Sequence, residues 1–370
     1  MPEKKARVTG IAGEGLENER GFPVGKQGKE ASLPGMDLLP HLGWLVLGLA
    51  LLSFGADWLV KGASEMAVKM GITPLVVGLT VVAFGTSAPE LIVSLKANLQ
   101  PEPAADLAVG NIVGSNVCNI ALLLGLAALI RPFVVHSQVV KRELPILLVV
   151  TGGFVWMIWN HELTRMEGLI MALAIVVYVV VSIRLARANP DDPAAPHDLP
   201  IDGVAAVSSS TMKSVGWVIL GLLGLIFGAD RLVTSGVELA TLFGVPQVVI
   251  GLTLVAIGTS LPELATTVAA ARRGETDLIA GNLIGSNLFN ILVVMGITSA
   301  VKPISLKVLN WVDLAVMSGF TLLLVPFLMR GRRLNRIEGS VMVVGYFVYC
   351  IYLVKPEWLG VAPPSVMGPE

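Results

Sequence analysis

The sequence predicts an all-α integral membrane protein with ten transmembrane helices, built as two inverted five-helix repeats. Composition is the first ground. Hydrophobic residues make up 54% of the 370-residue chain and charged residues 14%, with a mean hydropathy of +0.77. A soluble domain carries about 25% charged residues, so this chain has too little polar surface to be covered by water. The second ground is a set of ten apolar runs, each near the roughly 20 residues a helix needs to cross a bilayer. The third is a duplication. Gly78-Leu-Thr-Val-Val-Ala-Phe-Gly-Thr-Ser-Ala-Pro-Glu90-Leu91 returns as Gly251-Leu-Thr-Leu-Val-Ala-Ile-Gly-Thr-Ser-Leu-Pro-Glu263-Leu264. About twenty residues after each copy come Gly110-Asn-Ile-Val-Gly-Ser-Asn-Val-Cys-Asn-Ile120 and Gly281-Asn-Leu-Ile-Gly-Ser-Asn-Leu-Phe-Asn-Ile291.

Residues 1–36 are rich in Glu, Lys and Gly and hold no apolar run. A signal peptide needs an apolar core of about 7–15 residues, so this segment is expected to be a disordered polar leader, or translation to begin at Met36. The first repeat, 42–187, holds expected spans at 42–62, 72–98, 105–129, 140–160 and 165–187. A stretch rich in Pro, Asp and Ser at 188–213 has the composition of a linker loop. The second repeat, 215–355, holds spans at 215–235, 245–271, 277–300, 308–330 and 336–355, and a short tail, 356–370, follows. The net charge of −1 gives no basic surface for nucleic acid. Cys118 and Cys350 both fall in apolar spans and imply no disulfide framework.

The repeat extends past its central motif. Gly55-Ala-Asp-Trp-Leu-Val matches Gly228-Ala-Asp-Arg-Leu-Val, and Thr164-Arg-Met-Glu-Gly168 matches Asn335-Arg-Ile-Glu-Gly339. Five spans is an odd number, so successive copies enter the membrane from opposite sides, which makes the repeats inverted. Leaving aside the first 36 residues, fourteen Lys and Arg fall on one side of this topology and six on the other. The richer side is expected to be cytoplasmic. Both termini then lie outside the cytoplasm, and the chain is expected in the cell (inner) membrane.

The second and third spans form a hairpin about Pro101-Glu102-Pro103, with Glu90 and Ser115 each about twelve residues from the turn. At 1.5 Å per residue both lie about 18 Å from it, near mid-bilayer. Glu263 and Ser286 flank Gly274 in the same way. An inverted axis brings the two clusters together at the midplane. Within each, helical spacing puts Thr86, Ser87 and Glu90 on one face, and Thr259, Ser260 and Glu263 on the matching one. Ser115 and Asn119 are four apart, as are Ser286 and Asn290. Pro89 and Pro262 cannot donate to the carbonyls of Gly85 and Gly258. Carbonyls freed at this depth are tolerated where they line a cavity or meet a ligand. Asp106 and Asp277 are expected as N-caps, and Asp57, Asp230, Glu65 and Glu238 in structural or interfacial roles toward span ends.

Two carboxylates, hydroxyls, amides and carbonyls are hard oxygen donors. They suit Ca²⁺, which takes about 6–8 oxygens, and Na⁺ on the same reasoning. His41, His136, His161 and His197 fall at span edges or loops, and no His/Cys constellation suggests zinc or copper. Two glutamates balance one Ca²⁺ or two Na⁺, so the ions can compete for one place. A duplicated set of polar groups in hydrocarbon points to transport rather than to a structural role.

Gly-Thr-Ser-Ala-Pro-Glu followed by Gly-Ser-Asn, in two inverted copies, resembles the sodium/calcium exchanger family of the calcium:cation antiporters. The resemblance covers roughly residues 42–355. It implies ten helices, alternating access, and Na⁺ entry driving Ca²⁺ extrusion, with lipid as the surrounding phase and no cofactor beyond the transported ions. It implies Glu90 and Glu263 as central Ca²⁺ ligands. Thr86, Ser87, Ser115, Thr259, Ser260 and Ser286 would complete the cation sites, the carbonyls of Ala83 and Ala256 would serve flanking Na⁺ sites, and Asn119 and Asn290 would line the centre. Some family members carry Asp where this chain has Asn290, which leaves the coupling ratio and any proton or K⁺ role open. The nearest rival is a Ca²⁺/H⁺ antiporter of the same fold, since buried glutamates also carry protons. Paired Thr-Ser donors favour Na⁺. An intramembrane enzyme using the glutamates as acid and base would need a nucleophile–base pair or a metal triad, and neither is present. A channel fits inverted repeats around occluded carboxylates less well than alternating access does.

Overall fold

The structure, a computed structural model, describes residues 38–100, 105–188, 210–243, 258–306 and 311–354. The expected leader, most of the linker and the C-terminal tail lie outside these residues, as do 244–257. In the first half the helices are α1 (Leu38–Met70), α2 (Pro74–Thr86), α3 (Ala88–Leu99), α4 (Ala105–Ile130), α5 (Val139–Asn160) and α6 (Arg165–Ala188). In the second they are α7 (Thr211–Leu242), α8 (Leu261–Arg273), α9 (Thr276–Val301), α10 (Trp311–Met329) and α11 (Arg336–Val354). Four two-residue strands join them: β1 (Phe133–Val134), β2 (Glu162–Leu163), β3 (Ile304–Ser305) and β4 (Arg333–Leu334).

Among the described residues eight helices are long and apolar enough to cross a membrane, and the bent pair α2–α3 makes nine. The expected span 245–271 is described only in its second part, as α8. α1 and α7 are longer than expected, 33 and 32 residues, and α7 takes in the end of the expected linker. α7 starts there because Ser210 caps it, its hydroxyl accepting from the Lys213 amide.

The strands report the symmetry. β1 pairs with β4 and β2 with β3, so each strand of one half meets a strand of the other. The quoted repeat Thr164-Arg-Met-Glu and Asn335-Arg-Ile-Glu is two copies of a helix start. Glu167 accepts from the Thr164 amide at 2.8 Å while Thr164 Oγ1 accepts from the Glu167 amide. Glu338 and Asn335 exchange the same two bonds at the start of α11. Before them, His161 (φ 65°) and Arg332 (φ 56°) make the same left-handed turn.

Two faces of packing result. α6 turns Leu173, Val176 and Val180 outward, as lipid contact requires, whereas α9 is buried along its apolar length. α1 and α7 pack against each other along a stripe of small residues. A Cβ on Gly55 would stand 2.9 Å from the Gly221 carbonyl and one on Gly62 2.8 Å from the Ser214 carbonyl, and Gly48 faces Gly228 likewise. Such backbone contact is how helices associate where the solvent is as apolar as their side chains. α9 approaches α2 as closely: a Cβ on Gly285 would lie 2.8 Å from Ala83 Cβ.

Two expectations change. Asp106 and Asp277 are not N-caps: α4 begins at Ala105, and α9 begins at Thr276 with Glu275 in the cap position. Each aspartate sits inside the first turn, where its charge complements the helix dipole. π-helical turns at Gly78–Val82, Cys118–Leu124, Val139–Glu143 and Asn290–Met295 were not foreshadowed.

The packing predicts a contrast. Gly55→Leu drives a side chain into the α7 backbone and should destabilise the protein by about 1–3 kcal/mol. Gly152, with nothing within 4 Å, should accept leucine with little change. Thermal unfolding in detergent checks this, and equal midpoints for the two variants would count against the close α1–α7 contact.

Candidate cation site

The two acidic motifs sit at two helix breaks. Between α2 and α3, Ser87 leaves helical geometry (φ −81°, ψ 5°), Pro89 brings no N–H, and the axis turns by 42°. Before α8, Ser260 repeats the geometry (φ −89°, ψ 8°) ahead of Pro262. The break places Glu90 and Glu263 in the first turns of α3 and α8, where the positive end of the helix dipole favours a carboxylate. Both are buried, at 1% and 0% exposure.

Each glutamate meets the hairpin partner expected from depth. Ser115 Oγ lies 3.4 Å from Glu90 Oε1, and Ser286 Oγ 3.4 Å from Glu263 Oε1. Each also reaches across to the other half, Glu90 beside Thr259 and Glu263 beside Thr86 and Ser87. Thr86 and Ser286 hydroxyls stand 3.4 Å apart, as do those of Ser260 and Ser115. At 3.4 Å these contacts are long for O–H···O. The hydroxyls surround the carboxylates without holding them tightly.

An asparagine framework surrounds this cluster and obeys the same two-fold relation. Thr86 Oγ1 donates to Asn282 Oδ1 at 3.2 Å, and Thr259 Oγ1 to Asn111 Oδ1 at 3.4 Å. Asn119 Nδ2 donates to Asn287 Oδ1 at 3.2 Å, and Asn290 Nδ2 to Asn116 Oδ1 at 3.0 Å. Asn111, Asn116, Asn282 and Asn287 were not singled out from the sequence. The signal for Asn111 and Asn282 was available: each precedes its serine by four residues, as that serine precedes Asn119 or Asn290. Asn116 and Asn287 fall one residue after the serines, off that face. Asn119 and Asn290 stand at the π-helical turns of α4 and α9, which a 3.6-residue period does not anticipate.

Several buried oxygens of these residues have no hydrogen-bond partner among the described residues: Glu90 Oε2, Glu263 Oε2, Ser87 Oγ, Asn119 Oδ1 and Asn290 Oδ1. The Ala83 carbonyl is already engaged, accepting from the Ser87 amide at 3.0 Å and from Thr86 Oγ1 at 3.4 Å. Ala256 lies outside the described residues. Among the described residues the ion pairs are His41–Glu238, Arg142–Glu143, Arg231–Asp230 and Arg273–Asp57, so neither Glu90 nor Glu263 has a basic partner. Two buried carboxylates without a cation are costly. What the arrangement offers is a set of free, hard oxygens and uncompensated negative charge at the contact between two halves.

Comparison with known proteins agrees with this architecture. A family model described as "Sodium/calcium exchanger protein" matches residues 40–184 and 213–355, one match per half. The chain is 32% identical over 341 residues to the sodium/calcium exchanger MaX1 of Methanosarcina acetivorans, covering 84% of this chain and 97% of that one. It is 41% identical over 265 residues to the inner membrane protein YrbG of Escherichia coli, covering 70% and 79%. The solved structure of the sodium-calcium exchanger NCX_Mj soaked with 2.5 mM Na⁺ and 0.1 mM Ca²⁺ superposes with a TM-score of 0.73 at 30% identity, covering 85% of this chain and 99% of that one. With both halves matched at nearly full length, the chain belongs to the sodium/calcium exchanger family of membrane transporters, and it is a transporter rather than an enzyme.

Proposed function

We propose that this protein is a secondary antiporter that exchanges Na⁺ for Ca²⁺ by alternating access, with Ca²⁺ held between Glu90 and Glu263. The observation that carries the reading is the pair of buried carboxylates, one from each half, with no basic side chain among the described residues to balance them. One Ca²⁺ supplies the missing two charges. Hydroxyls of Thr86, Ser115, Thr259 and Ser286 and the unpartnered oxygens of Ser87, Asn119 and Asn290 offer the further donors that a Ca²⁺ or Na⁺ shell needs. Ser260, beside Ser115, belongs to the same set. Two Na⁺ balance the same charges, so the ions displace one another and need not bind together.

The proposed setting is the cell membrane, with the Lys- and Arg-rich face toward the cytoplasm and both termini outside. The pairing of β1 with β4 puts these two strands on one membrane face, as the expected even number of crossings between them requires.

The direct test is ⁴⁵Ca²⁺ uptake into proteoliposomes under an outward Na⁺ gradient, set against a pH gradient of either sign. Uptake driven by Na⁺ supports the proposal. Uptake driven by protons alone assigns the protein to Ca²⁺/H⁺ exchange.

Glu90→Gln and Glu263→Gln each remove one of the two balancing charges and should lower Ca²⁺ exchange at least about a hundredfold, in line with the cost of leaving a buried ion uncompensated. Normal elution and unfolding temperature would show that the fold persists. Near-parental exchange by both variants would remove the glutamates from the site.

Asn290→Asp replaces the amide that donates to Asn116 Oδ1 with a third acid near the two glutamates. The new carboxyl keeps that hydrogen bond only by holding a proton, and otherwise draws in another cation. Exchange should therefore become more pH-dependent between about pH 6 and 9, or respond to added K⁺. Superimposable flux profiles for parent and variant would show that Asn290 does not sense the ions.

A further inference from the structure

Asn111, in the second turn of α4, lies between the two helix breaks. Its Nδ2 donates to Ser94 Oγ of α3 at 3.0 Å and to the main-chain carbonyl of Glu90 at 3.4 Å. Its Oδ1 accepts from Thr259 Oγ1 of the other half at 3.4 Å. Ser94 follows Glu90 by about one helical turn, is fully buried, and donates its own proton to the Ala108 carbonyl at 3.4 Å. Carbonyl oxygens only accept. The carbonyls of Ala108 and Glu90 therefore set the direction of the whole chain. Ser94 accepts from Asn111, the nitrogen end of the amide faces α3, and its oxygen end faces Thr259.

This direction matters because Thr259 has two acceptors for its one proton. Its hydroxyl also lies beside the Glu90 carboxylate. Donating to the carboxylate uses an oxygen lone pair that a cation needs. A hydroxyl that binds a cation turns its lone pairs to the ion and gives its proton to another acceptor. Asn111 Oδ1 is the acceptor held in place for that proton. Without it, the ion-bound hydroxyl would be a buried donor left unsatisfied, which is costly.

The second half is tied less tightly. Asn282 takes the place of Asn111, and Thr267 that of Ser94. Asn282 Oδ1 accepts from Thr86 at 3.2 Å, but Asn282 Nδ2 and Thr267 Oγ1 have no hydrogen-bond partner among the described residues. Thr86 also has the Ala83 carbonyl at 3.4 Å for its proton.

We propose that Asn111, held by Ser94, is the residue that makes Thr259 a cation ligand instead of a hydrogen-bond donor to Glu90. This rests on the reading above that Glu90 and Glu263 hold the cation. Asn111 and Ser94 are positioning residues, and both act through Thr259. The 3.4 Å contact between Thr259 and Asn111 is long for O–H···O. That lets the hydroxyl swing between its two acceptors as ions enter and leave.

Equilibrium ⁴⁵Ca²⁺ binding to the purified protein, with Na⁺ titrated against it, reads the affinity for each ion without a gradient. It therefore serves equally for a Na⁺-coupled or a proton-coupled exchanger. Thr259→Val should weaken binding of the ion that its hydroxyl ligates. Asn111→Leu should weaken binding of the same ion by about three- to tenfold, the scale of one hydrogen bond. Ser94→Ala should act in the same direction with a smaller effect. Combined with Thr259→Val, Asn111→Leu should weaken binding no further, because it has nothing left to orient. Unfolding temperature shows that each variant is folded, and Ser94→Ala with Thr259→Val supplies a second cycle should Asn111→Leu not fold. Full affinity for both ions in Thr259→Val or in folded Asn111→Leu would overturn the proposal. So would losses that multiply in either double variant, or a different ion weakened by Asn111→Leu than by Thr259→Val. A parent protein that binds no Ca²⁺ would overturn the cation site itself, and this proposal with it.

Discussion

Two carboxylates stand inside a membrane protein with no positive side chain among the described residues beside them. That constraint organises the rest of the structure. Glu90 and Glu263 cannot be solvated by lipid, and a fold that buries them must supply dipoles, hydroxyls and a counter-charge. The helix breaks supply the first, setting both carboxylates in N-terminal turns. The asparagine framework supplies the scaffold: Asn282 and Asn111 hold Thr86 and Thr259, which stand beside Ser286 and Glu90, and Asn119–Asn287 and Asn290–Asn116 tie the two halves together. The counter-charge must come from outside the chain, which is why the same feature that strains the fold also points to a cargo.

Symmetry lets this arrangement form from a single solution used twice. Each half has an acidic helix break and a serine–asparagine helix, and each completes its cluster with threonine from the other half. Close approach is needed for such cross-contacts, and the glycines at 48, 55, 62, 221 and 228 on α1 and α7, with Gly285 on α9, provide it.

Much of this was legible in the sequence. Apolar runs and the duplicated motifs announced the helical membrane architecture. Counting from each hairpin turn placed Glu90 with Ser115 and Glu263 with Ser286, and both pairs meet. The proline positions marked the breaks. What was not legible depends on contacts between elements. Asn116 and Asn287 lie off the serine face and join the framework only because α4 and α9 cross. The π-helical turns depend on how those helices pack. The lengths of α1 and α7 were underestimated because Lys61, Glu65, Lys69 and Glu238 read as span ends, whereas the pair continues past them: Lys69 Nζ reaches Ser214 Oγ at 2.6 Å and Glu238 meets His41 at 2.7 Å. Asp106 and Asp277 were misread as caps because composition at a helix start does not say which residue makes the first turn.

The central claim is that the cargo supplies the charge that the fold leaves out. Equilibrium ⁴⁵Ca²⁺ binding to the purified protein in detergent tests it most directly, comparing the parent with Glu90→Gln/Glu263→Gln combined, with Na⁺ titrated against bound Ca²⁺. The account predicts one Ca²⁺ per parent chain, displaced by Na⁺ with a steeper than single-site dependence, and no saturable binding to the folded double variant. Undiminished, Na⁺-sensitive binding by that variant would contradict it.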